Sequence, residues 1–372
     1  MGQKNQVLLA FSGGLDTTYC LVYLQEQGYQ VTTATIDTGG FSAEELGDIE
    51  QKAKDLGAVK HVTIDGRPTI WEDAAYIIKG EYLRGGSYPS VVAPERNAIV
   101  PELVRLAEEE GITTFAHGAT GAGGDQVRFD VGLSALLPEA KVLAPIREQS
   151  LSREQSFAYL QEKGVAVSSA QKNYSLNVGL LGTTIGGVET LDTKQPLPDS
   201  AFPSVVPLSD TPDTPVSLAL GFEAGLPIAL DGKALSGVEI LTQLNKLGAV
   251  HGYGRGYHTG TSLLGVPARL GFEAPGLLLL LQAHRELSKV ISTQPERQLL
   301  LSLGGHWGDF MHQGKFYHPV MPAYEAALDV LIGHARHAGM ADCAERRVQH
   351  ARQRRVTFFD WRHRGLHAEV PR

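Results

Sequence analysis

The stretch Val7-Leu8-Leu9-Ala10-Phe11-Ser12-Gly13-Gly14-Leu15-Asp16-Thr17-Thr18 decides the fold. Val7 to Phe11 is a short apolar run ending in a glycine turn, the pattern of a buried strand. Thr17 to Gln27 then carries Leu21, Tyr23 and Leu24 at helical spacing. A strand, Ser-Gly-Gly-x-Asp-Thr and a helix together make an anion cradle. Gly13 and Gly14 let backbone N–H groups approach oxygen closely, and the helix start adds the positive end of its dipole. Ser12 and Thr17 supply hydroxyl donors. Asp16 would repel bare phosphate, so it is expected to position Mg²⁺ on a pyrophosphate. The loop holds no lysine, which separates it from the Walker type of phosphate loop. A plainer reading makes it a strand-to-helix turn capped by Asp16, but a cap does not require Ser-Gly-Gly before it.

Outward from this loop, strands and helices alternate. Val31 to Ile36 is β-branched and reads as a second strand, and Val62 to Ile64 as a third. Ser42 with Glu45 is a capping box opening a helix that ends near Gly57, and Ser152 with Gln155 opens another ending at Gly164. Pro101 to Gly111 reads as a helix. Ile112 to Ala116 reads as a strand running into a second glycine-rich loop, Gly118 to Gly124. This alternation predicts a parallel sheet covered on both faces, with ligands at the carboxyl ends of its strands. Thr38-Gly39-Gly40 is then placed to pass along an adenine, with Ile36 either touching the ring or packing in the core.

Composition changes after Val165, and a domain boundary is expected near residues 165–170. Lys194 to Pro215 is dense in Pro, Asp, Ser and Thr, so it is a loop. Val216 to Leu230 reads as a hairpin around Glu223-Ala224-Gly225, Ser236 with Glu239 as the start of a helix, and Gly276 to Val290 as a buried helix. The 372 residues suffice for about two domains. A net charge of −8 marks no nucleic-acid or anionic-membrane binder. Cys20 and Cys343 make neither a disulfide framework nor a metal site. No signal architecture and no apolar run of membrane length is present, so a cytoplasmic protein is expected.

Several ordered segments resemble the argininosuccinate synthase family of N-type ATP pyrophosphatases. Ala10 to Thr18 is similar to its first signature, and His117-Gly118-Ala119-Thr120-Gly121 with Asp125-Gln126-Val127-Arg128-Phe129 to its second. Leu143 to Glu148, Leu151 to Glu154, Lys172, Tyr174, Ser175 and Phe272 to Gly276 continue the likeness, which runs from about residue 5 to 335. The resemblance implies an α/β fold: an N-terminal Rossmann-like nucleotide-hydrolase (HUP) domain over residues 1–167, then an α+β synthetase domain over 168–372. It implies a ligase in which ATP adenylates the ureido oxygen of citrulline, pyrophosphate leaves, and the amine of aspartate displaces AMP. By that likeness Ala10, Phe11, Ser12, Gly13, Gly14, Leu15, Asp16, Thr17, Thr18, Ile36 and Gly118 line the nucleotide site. Thr120 and Asp125 hold aspartate. Tyr88, Arg96, Arg128, Ser175 and Thr184 hold the ureido acceptor, beside Gly124 and Phe272. Asp16, Asp125 and Arg128 carry the catalysis, Mg²⁺ rides on the phosphates, and no protein metal site is expected.

The departures from the family cluster at the acceptor. Gly124 replaces an Asn, Val92 a hydroxyl residue, Phe272 a Tyr, and Gly260 the Glu that grips citrulline's ammonium. No replacement acid stands nearby in sequence. The expectation is therefore an acceptor that is citrulline-like but modified or larger, with the glycines of Gly252 to Gly265 leaving it room. His258 is a candidate for proton transfer from the attacking amine, against a structural role. The chain ends at Arg372, short of the family's subunit-embracing helix, so a homo-oligomer smaller than a tetramer is expected. The tail interleaves Arg346, Arg347, Arg352, Arg354, Arg355, Arg362 and Arg364 with Phe358, Phe359 and Trp361, which reads as a solvated helix and an amphipathic strand ahead of an RNA-binding element. Two other functions are weighed. A tRNA-modifying enzyme on the same fold would need a reactive cysteine pair. A non-catalytic ATP or metabolite binder would need the loop but no chemistry.

Overall fold

The computed structural model describes residues 5–121, 123–166, 174–214, 216–263, 265–334, 355–357 and 367–368. Lys172, residues 167–170 of the expected boundary at 165–170, Cys343 and most of the arginine-aromatic tail lie outside the described residues.

The chain begins β1 (Gln6–Ala10), α1 (Leu15–Glu26), β2 (Gln30–Asp37), α2 (Ala43–Asp55), β3 (Lys60–Asp65), α3 (Arg67–Lys79), α4 (Val92–Glu110), β4 (Thr114–Ala116), α5 (Asp125–Leu136), β5 (Lys141–Leu143), α6 (Pro145–Glu148) and α7 (Arg153–Glu162). Its strands form one parallel sheet in the order β3-β2-β1-β4-β5. β1 is central, and Val7, Leu8 and Leu9 are wholly buried because helices cover both faces. The strand order reverses between β2 and β4 on either side of β1, so the loop after β1 opens at the switch point where such sheets bind ligands.

The remainder comprises β6 (Tyr174–Gly179), β7 (Gly182–Gly187), β8 (Ser217–Glu223), β9 (Leu226–Leu230), β10 (Lys233–Ala234), α8 (Gly237–Val250), β11 (Arg255–Thr261), β12 (Pro267–Glu273), α9 (Pro275–Ile291), α10 (Gln294–His312), α11 (Met321–His334), β13 (Arg355–Thr357) and β14 (His367–Ala368). These strands make two antiparallel sheets, β11-β12-β7-β6 and β10-β9-β8-β13-β14. The capping boxes at Ser42, Ser152 and Ser236 are present as read from sequence.

One reading of the sequence needs correction, and one segment gains a packing contact. The helix expected from Pro101 starts at Val92, with Pro101 inside it. Proline leaves the carbonyl four residues back without its donor. Here Asn97 O accepts instead from the Tyr317 hydroxyl at 3.4 Å, and burial of Ala93, Pro94 and Ala98 holds the early turns. The Thr38-Gly39-Gly40 segment docks on the β6–β7 turn: Leu180 N–H donates to Thr38 O at 2.6 Å, and a Cβ on Gly40 would lie 2.1 Å from Val178 O. Its second glycine therefore serves a close backbone contact. Ile36 is buried against Gly66, which gives its side chain to the core.

The largest hydrophobic cluster joins the two halves. Ile70, Ile77, Tyr88 and Val91 pack with Leu180, Phe272, Leu277 and Trp307. The sheet β11-β12-β7-β6 is thereby set against the start of α4, which positions the residues described next.

Candidate active site

Gly13 has a left-handed φ of +70° and lies against Ile49 of α2, so a larger residue there would meet both a strained backbone and a wall. Gly14 is the N-cap of α1 and offers no side-chain cap. The first amides of α1 are left for a ligand, beside the positive end of the helix. Hydroxyls brace the loop from within. Thr17 Oγ1 accepts from Ser12 N–H and donates to Gly14 O, each at 3.3 Å, and Thr18 Oγ1 donates to Gly13 O at 3.3 Å. A lysine does reach the loop. Lys52 of α2, from 39 residues along the chain, donates to Gly13 O at 2.7 Å. Sequence motifs cannot show it, because only the fold of α2 over the loop brings it there. Burial raises the Asp16 carboxyl above its usual range, and Arg153 opposes that.

The second glycine-rich loop starts against the first. A Cβ on Gly118 would lie 3.1 Å from the main chain of Asp16 and Thr17. The loop leads to Asp125, the first residue of α5, and Thr120 stands exposed midway. His117 is fixed by Asp130, whose carboxylate also pairs with Arg147. Asp125 bridges both candidate clamps, taking Arg96 Nε at 3.1 Å and Arg128 Nη1 at 3.0 Å. Burial would raise the Asp125 carboxyl, but Arg96 and Arg128 together hold it below its usual range. Arg128 Nη2 also donates to His312 O at 2.8 Å, and Arg96 Nη2 to Asn177 Oδ1 at 2.9 Å. Asn177 Nδ2 in turn donates to Thr184 Oγ1 at 3.3 Å. Tyr88 is buried, with its ring 5.3 Å from Phe272 on one side and stacked 5.2 Å from His258 on another. Ser175 is exposed on β6.

Two family models match the chain, one described as the arginosuccinate synthase N-terminal HUP domain over residues 6–166 and the other as the arginosuccinate synthase C-terminal domain over residues 174–338. The argininosuccinate synthase of Xanthomonas campestris is 42% identical over 87% of this chain and 82% of its own length. That of Xylella fastidiosa is 40% identical over 88% and 82%, and that of Pyrococcus furiosus 35% identical over 87% and 78%. The chain belongs to the argininosuccinate synthase family. It is an ATP-dependent carbon–nitrogen ligase by that membership, and no described helix is long and apolar enough to cross a membrane.

Within this argininosuccinate synthase family member, the altered positions are filled. A Cβ at Gly260 would lie 2.7 Å from His258 Nε2, so the imidazole takes the space beside that glycine. A Cβ at Gly124 would lie 2.7 Å from Leu263, which covers it from the β11–β12 connection. The expectation of added room for a larger acceptor is therefore corrected: these glycines accommodate neighbouring side chains, and the relatives give a modified acceptor no support. Glu95 stands buried behind Arg96, 3.7 Å from Nη1, and Asp309 of α10 lies 3.7 Å from Arg84. A tRNA-modifying role has no chemical basis at Cys20, which is wholly buried on α1 with a thiol pushed up by burial. The relatives support neither that role nor a non-catalytic one.

Proposed function

We propose that the chain joins citrulline to aspartate, cleaving ATP to AMP and pyrophosphate. One observation carries this reading: the uncapped amide cradle of α1 touches Gly118, and the loop from Gly118 ends at Asp125 between Arg96 and Arg128. A triphosphate tail in the cradle would thus lie one loop away from paired groups suited to amino-acid substrates. In the first step the ureido oxygen attacks the α-phosphorus and pyrophosphate departs along the cradle. In the second the aspartate amine attacks the activated carbon, AMP leaves, and the C–N bond remains. The protein contributes position and charge complementarity. In the free state Asp125 satisfies both arginines. An incoming ammonium would draw on Asp125 and turn the two guanidiniums toward substrate oxygens. Tyr88, Phe272, Thr184 and Ser175 would wall the acceptor, and Thr120 would reach aspartate.

Magnesium fits one protein carboxylate here. A cation held mostly by phosphate oxygens would have Asp16, in the first turn of α1, beside it. When bound it would neutralise pyrophosphate charge. We further take residues 1–167 as the nucleotide unit and 168–372 as the synthetase unit of a cytoplasmic homo-oligomer.

The test is stoichiometry. Purified protein with ATP, Mg²⁺, citrulline and aspartate should release AMP and pyrophosphate in equal amounts and form argininosuccinate. Release of ADP, or turnover independent of citrulline, would refute the assignment. Light scattering reports the assembly.

A further inference from the structure

The peptide joining Gly13 to Gly14 lies at the bend of the phosphate loop, and two donors hold it. Its carbonyl oxygen, Gly13 O, accepts from Lys52 Nζ at 2.7 Å and from Thr18 Oγ1 at 3.3 Å. In a planar trans peptide the C=O and the N–H point in opposite directions. A carbonyl held toward Lys52 therefore turns Gly14 N–H to the other side, where no described residue accepts from it. That amide is one of the donors left for a triphosphate tail.

The flanking residues do little to secure this orientation. Glycine on both sides leaves the peptide free to turn over, and Gly13 already takes a φ of +70°. A turned peptide would aim Gly13 O into the cradle and set its partial negative charge against phosphate. Lys52 is the charged member of the pair that prevents this. It stands three residues beyond Ile49 on the face of α2 that packs on the loop, where a Cβ on Gly13 would lie 3.0 Å from Ile49 Cγ1. On the outer face Lys54 pairs with Glu50 at 2.6 Å, but no described acid pairs with Lys52. Burial holds the Lys52 pKa below its usual range, so the ammonium gives up water for a single carbonyl. A charge-assisted hydrogen bond is the stronger kind, and on a carbonyl it also polarises the N–H of the same peptide into a better donor.

We propose that Lys52 is a positioning residue for ATP cleavage, holding the Gly13–Gly14 peptide with its carbonyl toward α2 and its N–H toward the β- and γ-phosphates. The inference rests on the ligase reading above. As the ureido oxygen bonds to the α-phosphorus, the bond from that phosphorus to the bridging oxygen breaks and its electron pair leaves with pyrophosphate. Gly14 N–H meets the charge that gathers there. Lys52 keeps its proton throughout and touches no substrate, so it acts through the loop.

The full chain is assayed with citrulline and aspartate saturating, and pyrophosphate and AMP are used as product inhibitors. Lys52→Met should lower kcat/KM for ATP about 10- to 100-fold, raise the inhibition constant of pyrophosphate by a similar factor, and leave that of AMP, which has no tail, within about twofold. Lys52→Arg keeps a charged donor and should recover most of the loss. Lys54→Met, on the same helix, should change none of these constants. Unchanged ATP and pyrophosphate constants in Lys52→Met overturn the inference. So does equal weakening of ATP and AMP, the mark of a lysine that merely anchors α2, and so does an arginine variant as poor as the methionine one. If Lys52→Met does not fold, Lys52→Gln retains a neutral donor and should show the same selective loss at smaller size; a loss without selectivity overturns the inference. A wild type that releases no pyrophosphate sinks the ligase reading. Calorimetric binding of ATP and of AMP to wild type and Lys52→Met then judges Lys52 separately, and ATP binding that the substitution leaves unchanged overturns its role.

Discussion

Glu95 shows how a single side chain can be set against its own charge. It is 1% exposed, and one of its oxygens has no hydrogen-bond partner among the described residues. Burial raises its pKa from 4.5 to about 8, against the pull of Arg96 and with help from Asp125. A carboxyl whose pKa rises on folding binds its proton more tightly in the native state. Stability should therefore fall as pH climbs from about 4.5 to about 8, and Glu95→Gln should flatten that part of a melting-temperature profile. An unchanged slope would show that Glu95 titrates normally. His312 contributes with the opposite slope. Burial, with Arg128 next, lowers it from 6.5 to about 3, so its contribution is lost as pH falls through that interval. At Asp125 the concern is catalysis. Asp125→Asn removes the charge that two arginines share, and kcat/KM for aspartate should drop about 10²- to 10³-fold with the fold retained. Of these three residues, the sequence singled out Asp125 alone. It lies in a recognisable motif, whereas Glu95 and His312 owe their states to burial.

At the scale of elements, local chemistry explains most of what is seen. Ser42, Ser152 and Ser236 begin helices because each hydroxyl accepts from the amide three residues on, a short-range requirement visible in the chain itself. Ser236→Ala should cost about 1 kcal/mol, read from urea unfolding. The contact between α3 and α10 is another matter. A Cβ on Gly304 would stand 2.1 Å from Gly80 O, so the two backbones touch. Gly304→Ala should force them apart and cost about 1–3 kcal/mol, whereas the adjacent Gly305→Ala, with open space around it, should cost nothing comparable. Equal effects of the two substitutions would mean that helix propensity, not packing, is being measured. The true start of α4 was hidden for a related reason. Pro101 looks like a helix opening, and the Tyr317 hydroxyl, distant in sequence, together with burial of the early turns makes it tolerable in the interior.

At the scale of the molecule, the largest core spans both halves, and the Gly40 contact ties the loop after β2 to the β6–β7 turn. Ligand in the cradle should be felt throughout. ATP with Mg²⁺ at about 100 times its Kd should stabilise the protein by about 2.7 kcal/mol, and EDTA should remove most of that gain. A stabilisation indifferent to EDTA would dismiss the cation from the nucleotide site. The amino-acid sequence alone determined the parallel sheet and the turn that can cradle phosphate. Those depend on hydrophobic period, backbone permissiveness and residue type within a few positions of one another. Tertiary structure alone decided that Arg96 reaches Asp125, that Lys52 reaches Gly13, and that Arg84 meets Asp309. Each of these three contacts joins separate stretches of chain, and only the docking of one buried surface on another sets the distance between them.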